Sequence, residues 1–110
     1  MITNKHVLSL VEALEEIGWK REHRGCKHYG LISPSSHRTE AWFMGDQDRL
    51  TISDEVFGKH EGTLYIDLSK CTIEKKPGMV SIFLKLQKGL KQKNYFFMSF
   101  YNHDIKEIPV

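Results

Sequence analysis

The most regular part of the sequence is VLSLVEALEEIGW, residues 7–19. Its apolar residues recur at the three- and four-residue spacing of one helix face, and its glutamates fall on the other face. Thr3 or Asn4 suits the N-cap of such a helix, and Gly18 suits a left-handed cap at its C-terminal end. The pattern predicts an amphipathic helix over about residues 4–17.

Beyond this helix the apolar pattern changes to a period of two, which is typical of strands. In residues 64–68, for example, leucine and isoleucine alternate with tyrosine and aspartate. Turn signals rich in glycine, proline and aspartate separate the alternating segments, as at 45–48 and 76–78. We predict an α+β fold, with one helix packed on a mostly antiparallel meander of six to seven strands. A chain of this length is expected to form one compact domain, 1–110.

The composition is that of a globular protein and excludes a disordered chain or a coiled coil. Hydrophobic residues make up 40% of the 110 residues and charged residues 27%, with a net charge of +2. This small net charge does not require a polyanionic partner. The charge is unevenly distributed, because all the basic residues after residue 58 are lysines.

The sequence also limits the compartment and the cofactors. It has no apolar stretch near the ~20 residues that a membrane-spanning helix needs, so we expect no membrane association and a cytoplasmic location. The two cysteines, Cys26 and Cys71, are expected to be reduced. His23, Cys26 and His28 are close in sequence, but no second ligand pair accompanies them, so we predict no metal site and no other cofactor.

The strongest positive signal is a lysine-rich region followed by aromatic residues, without an acidic residue between Glu74 and Asp104. Lysines beside aromatic residues on strands are typical of surfaces that bind nucleic acid through backbone charge and base stacking. Lysines at strand edges also prevent aggregation, which is the alternative explanation. The predicted binding residues are Lys75, Lys76, Lys85, Lys88, Lys91, Lys93, Tyr95, Phe97 and Tyr101.

The aromatic segment 94–101 carries large side chains on both faces of a predicted strand. Such a pattern is typical of a central strand covered on both sides, and also of a strand whose outer face docks on a partner. We favour the central strand, because buried central strands are nearly continuous apolar runs.

Residues 10–19 resemble the opening helix of the HicA-type toxins, ribonucleases with a fold like that of double-stranded-RNA-binding domains. In that family a helix ending in Gly-Trp precedes a basic strand, a Gly-Ser-His segment and two more strands. Here Gly25 matches the segment, Cys26 replaces its serine, and Lys27 stands where the catalytic histidine is expected. The resemblance implies RNA cleavage, for which His28 offers the nearby imidazole.

These observations favour a small non-enzymatic binding protein of the inhibitor, immunity-protein or host-modulator type. We expect it to dock a partner protein, plausibly one that handles nucleic acid, through the aromatic and lysine-rich strand surface. The alternative is an RNA-binding protein or a HicA-like RNA-cleaving toxin in which His28 acts as general acid or base. The sequence leaves the oligomeric state open.

Overall fold

The N-terminal helix begins and ends as its capping residues predict. The computed structural model of the chain describes residues 1–34, 39–52, 64–85, 95–101 and 105–109. Helix α1 spans Lys5–Glu16, and the side-chain oxygen of Asn4 accepts hydrogen bonds from the backbone N–H groups of His6 and Val7, each at 3.0 Å. Gly18 has φ +101°, so it takes the left-handed conformation that glycine tolerates best.

The chain then forms a five-stranded sheet whose strands follow one another in sequence order, each antiparallel to the next. Its strands are β1 (Lys20–Gly25), β2 (His28–Ile32), β3 (Thr39–Met44), β4 (Arg49–Ile52) and β5 (Leu64–Asp67). All residues of β1 are exposed, as suits an edge strand rich in charged side chains. A short connection of turn residues, 45–48, joins β3 to β4 in a hairpin, which confirms the turn predicted there.

A short 3₁₀ helix, Leu68–Lys70, ends the first sheet and leads into a second one. Its cap is Asp67, whose side chain accepts a hydrogen bond from the backbone N–H of Ser69 at 3.0 Å. Leu68 is buried and donates its backbone N–H to the carbonyl of Asp48 at 2.7 Å. The second sheet is an antiparallel meander of β6 (Cys71–Lys76), β7 (Met79–Lys85), β8 (Tyr95–Tyr101) and β9 (Ile105–Pro109).

The predicted α+β class, with one helix on antiparallel strands, is confirmed. The described residues form nine strands in two sheets, where the sequence predicted six to seven in one meander. The division into two sheets arises at Leu68–Lys70, where the turn divides a region in which the apolar alternation continues on both sides, and the additional strands are β1 and β9. Strand β8 lies between β7 and β9, so the central position predicted for the aromatic segment is confirmed.

In the part of the chain that the structure describes, one hydrophobic core joins the helix to both sheets. Trp19, directly after the helix, packs edge-to-face against Phe100 of β8 with ring centroids 5.7 Å apart. Its indole N–H donates to the carbonyl of Tyr101 at 2.7 Å. Within the described ranges, no helix has the length and apolar character needed to cross a membrane.

Candidate functional site

Strands β2 to β5 of the first sheet bury one face and leave the other partly accessible. Along β3 and β4, Ala41, Phe43 and Leu50 are buried in the core. Because side chains alternate across a strand, the residues between them project from the opposite face. We call this surface the Trp42 face, and its members are His28, Trp42, Met44, Arg49, Thr51 and Tyr65.

Strand register places the members of the Trp42 face in adjacent rows. Trp42 lies opposite Gly30 on β2 and opposite Thr51 on β4, and Thr51 lies opposite Tyr65 on β5. Gly30 has no side chain, so β2 places no side chain directly beside the indole of Trp42 in this row. In the next row His28 lies opposite Met44. The register therefore brings an indole, a phenol and a thioether onto one continuous surface.

Two open clefts lie on the Trp42 face and share Arg49. The first, with a volume of about 280 Å³, is lined by His28, Trp42, Phe43, Met44, Arg49 and Thr51. The second, of about 450 Å³, is lined by Gln47, Asp48, Arg49, Tyr65, Ile66 and Asp67. Among the described residues, no carboxylate lines the first cleft, whereas Asp48 and Asp67 line the second.

Arg49 is positioned by the ring of Tyr65. Its guanidinium carbon lies 5.1 Å from the ring centroid, within the range of a cation–π contact, and Tyr65 is 62% exposed. Asp67, opposite Arg49 in register, instead accepts hydrogen bonds from the backbone N–H and the hydroxyl of Ser69 at 3.0 and 2.6 Å. Among the described residues, the guanidinium of Arg49 has no hydrogen-bond or ion-pair partner. Its donors therefore face the clefts.

An ion pair joins the two hairpin turns beside the first cleft. Lys27, in the β1–β2 turn, lies 2.9 Å from the carboxylate of Asp46 in the β3–β4 turn. The hydrogen bond between them raises the pKa of Lys27 and lowers the pKa of Asp46. The pair therefore holds together the strand ends that carry His28 and Met44.

His28, the residue of the alternative catalytic interpretation, is exposed and lines the first cleft. Within the described part of the chain, its imidazole forms no hydrogen bond that would orient it as a general base. The neighbouring His23 contacts the carbonyl oxygen of Cys26 at 2.7 Å through Nε2 and packs against the ring of Tyr29. The imidazole of His28 therefore belongs to the Trp42 face.

The two thiols are separate, and neither is part of a metal site in the described ranges. Cys26 is exposed in the β1–β2 turn, and Cys71 is half-buried at the start of β6. Burial, together with the nearby charge of Asp67, raises the pKa of Cys71 to about 11, so its thiol is protonated at neutral pH. The described residues contain no group of three metal-ligating side chains.

The predicted lysine-rich surface is only partly described, and its described members diverge. Lys75 and Lys76 are adjacent in β6, so their side chains project to opposite faces. Lys75 lies 3.6 Å from Glu16 of the helix, which places it on the helix side of the sheet. The backbone of Lys85 pairs with that of Tyr95. Three more predicted lysines lie outside the described residues: Lys88, Lys91 and Lys93.

The predicted aromatic residues lie on β8, in the middle of the second sheet. Phe97 pairs with Phe83, and Tyr101 pairs with Met79. Tyr101 is half-buried, and Ser99, which lies between Phe97 and Tyr101 on the same face, is completely buried. The side chains of Tyr95 and Phe97 lie outside the described part of the structure.

Sequence reasoning missed Trp42, Arg49 and Tyr65. The run Ala41-Trp42-Phe43-Met44 is apolar at every position, so it does not indicate which side chains face the core. Tyr65 could have been found from the sequence, because it is an aromatic residue at one of the positions of an alternating strand where polar residues are expected. Comparisons of the chain with protein-family models, with curated proteins and with solved structures gave no match.

Proposed function

We propose that this chain is a non-enzymatic binding protein that docks a partner protein through the Trp42 face. The observation that carries the proposal is the exposed Tyr65 ring with Arg49 stacked on it, in the same surface as Trp42. Tryptophan, tyrosine and arginine are the residue types that contribute most to protein–protein binding energy. They form the centre of the proposed interface.

The backbone beneath the Trp42 face supports this role, because it is fixed by the core. Phe43 and Leu50 alternate with the face residues on β3 and β4 and are nearly inaccessible to solvent. Moving a face residue would therefore disturb core packing. A surface held in this way loses little backbone entropy when a partner binds.

The charges around the Trp42 face favour a protein over a nucleic acid. Glu22, opposite Gly30 in register, places a carboxylate in the row of Trp42 and Tyr65, and Asp67, opposite Arg49, places one in the row of Arg49. A nucleic-acid surface gains most of its affinity from uniformly positive charge, which these carboxylates reduce. Mixed charges around an aromatic centre are typical of the polar rim of a protein interface.

The proposal is tested by capturing partners of the tagged chain from native cell extract, with half of the extract treated with nuclease. The captured protein is then purified and titrated against the wild type, Trp42→Ala and Tyr65→Ala. We expect a stoichiometric protein partner that survives nuclease, and an affinity that falls at least about tenfold with either substitution. Circular dichroism verifies that each variant is folded.

Lys76→Ala is the matched control, because Lys76 is exposed but lies on the second sheet. We expect this variant to bind like the wild type. If Lys76→Ala weakens binding while Trp42→Ala does not, the lysine-rich surface is the interface and the proposal is wrong. If only nucleic acid is captured, and RNA cleavage is lost in His28→Ala, the RNA-cleaving alternative replaces it.

A further inference from the structure

The first cleft combines an apolar wall with nitrogen donors. Trp42 and Met44 supply the wall, and Arg49 supplies a permanent positive charge at its side. His28 adds an imidazole, which is the second nitrogen-bearing side chain of the lining. None of the described side chains that line it is acidic. The cleft is therefore complementary to a group that is apolar and negatively charged.

The guanidinium of Arg49 stacks on the Tyr65 ring, and within the described residues none of its donors is used. Asp67, opposite Arg49 in register, has other partners: its Oδ1 accepts hydrogen bonds from Ser69, and its Oδ2 lies 4.0 Å from Nζ of Lys70. A guanidinium in this state binds a carboxylate through two parallel hydrogen bonds, which are among the stronger hydrogen bonds in proteins. Because Tyr65 already orders the side chain, less entropy is lost when this contact forms.

From this arrangement we infer that the first cleft receives an acidic side chain of the partner protein, with an apolar side chain beside it in the same segment. The carboxylate binds Arg49, and the apolar neighbour packs on Trp42 and Met44. A cleft of about 280 Å³ is just below the size of sites for drug-sized ligands, which suits a single anchoring position. This inference rests on the proposed function and specifies the chemistry of the partner.

The partner is a protein rather than a nucleic acid, although a phosphate would also bind Arg49. The second cleft, which shares Arg49 with the first, is lined by Asp48 and Asp67. A phosphodiester chain would have to pass these carboxylates to occupy both clefts. A peptide presents one carboxylate at one position, so it satisfies Arg49 without placing further negative charge against the acidic residues.

The test is selection of short random peptides displayed on phage against the purified wild-type chain. Selected peptides are synthesised, and their affinity is measured by fluorescence polarisation. We expect enrichment of Asp or Glu next to Leu, Ile, Phe or Trp. We expect affinity to fall about tenfold when that acidic residue is changed to its amide, and similarly for Arg49→Gln.

A double-mutant cycle identifies the contact itself. If the carboxylate binds Arg49, combining the amide peptide with Arg49→Gln lowers the affinity little more than either change alone. Additive losses, a consensus without acidic residues, or no selected peptide would each overturn the inference. Arg49→Lys, which retains the charge but loses the paired donors, is expected to bind between the wild type and Arg49→Gln. Lys76→Gln controls for the loss of a positive charge elsewhere.

Failure of the inference and failure of the proposed function give different results. If the selected peptides lack acidic residues but bind Trp42→Ala more weakly than the wild type, the Trp42 face is the interface and only the carboxylate contact is wrong. If the affinity of a captured partner is unchanged by both Trp42→Ala and Tyr65→Ala, the Trp42 face is not the interface and the proposed function is wrong. Preferential binding of oligonucleotides to the wild type, abolished by Arg49→Gln, assigns the cleft to phosphate.

Discussion

Tyr65 and Ile66 are neighbours in sequence but have opposite surroundings. Ile66 is 1% exposed, whereas Tyr65 is 62% exposed. Burial of an isoleucine side chain stabilises the fold by about 1.5–3 kcal/mol, so the position of Ile66 is explained by packing. Packing does not explain Tyr65, whose ring contacts the guanidinium of Arg49. An exposed aromatic ring at this position is what the proposed interface requires.

Gly45, directly after Met44, is fixed by the N-terminal segment. Its carbonyl accepts hydrogen bonds from the backbone N–H groups of Thr3 and Asn4, at 2.8 and 2.9 Å. A Cβ at this position would lie 2.8 Å from the carbonyl oxygen of Met1, which is backbone and does not move aside easily. We expect Gly45→Ala to lower the free energy of unfolding by about 1–3 kcal/mol, measured by urea denaturation.

The control for this prediction is Gln47→Ala in the same turn, because Gln47 is exposed. We expect the free energy of unfolding of Gln47→Ala to stay within about 0.5 kcal/mol of the wild type. Equal stability of the two variants would show that the N-terminal segment accommodates a methyl group at Gly45.

At the scale of the elements, the Lys27–Asp46 ion pair connects the β1–β2 and β3–β4 hairpins, which pair with each other through β2 and β3. The folded-state pKa of Asp46 is lowered by this pair, so the folded protein binds a proton there less readily than the unfolded chain. The pair therefore stabilises the fold at pH values above the ordinary pKa of an aspartate. This contribution is lost as the pH falls through the lowered pKa.

We expect Asp46→Asn to lower the melting temperature at about pH 6, and to have a diminishing effect as the pH approaches about 2. High salt reduces the difference at the higher pH, because both side chains are accessible to solvent. The difference in melting temperature between the variant and the wild type is measured by thermal melts followed by circular dichroism at a series of pH values. Lys27→Gln should give the same pH dependence, and a pH-independent effect of Asp46→Asn would contradict the assignment to this pair.

Elements differ in how far local sequence determines them. The helix is predictable because its period, its Asn4 cap and its Gly18 cap are all local signals. The division into two sheets is less predictable, because it depends on the burial of Leu68 and its contact with Asp48. The site is least predictable, because in a strand that is apolar at every position only the packed structure shows which alternate residues face the core and which face outward.

For the molecule as a whole, Trp19 links elements that are distant in sequence. It follows the helix, yet its ring packs on Phe100 and its N–H donates to the carbonyl of Tyr101. The buried residues of the first sheet, the second sheet and the helix form one continuous cluster. Neither sheet has a separate core in the described residues, so the stability of each depends on the other.

This shared core predicts that both sheets unfold in one cooperative transition. In a Trp42→Phe background, fluorescence reports Trp19 alone, since the chain has two tryptophans, while circular dichroism reports both sheets. We expect the two urea transitions to coincide. Trp19→Phe removes the hydrogen bond to Tyr101 and should destabilise the chain by about 1–3 kcal/mol, measured by circular dichroism. Two separate transitions would show that the sheets are independent, since a core shared through Trp19 requires both sheets to lose structure together.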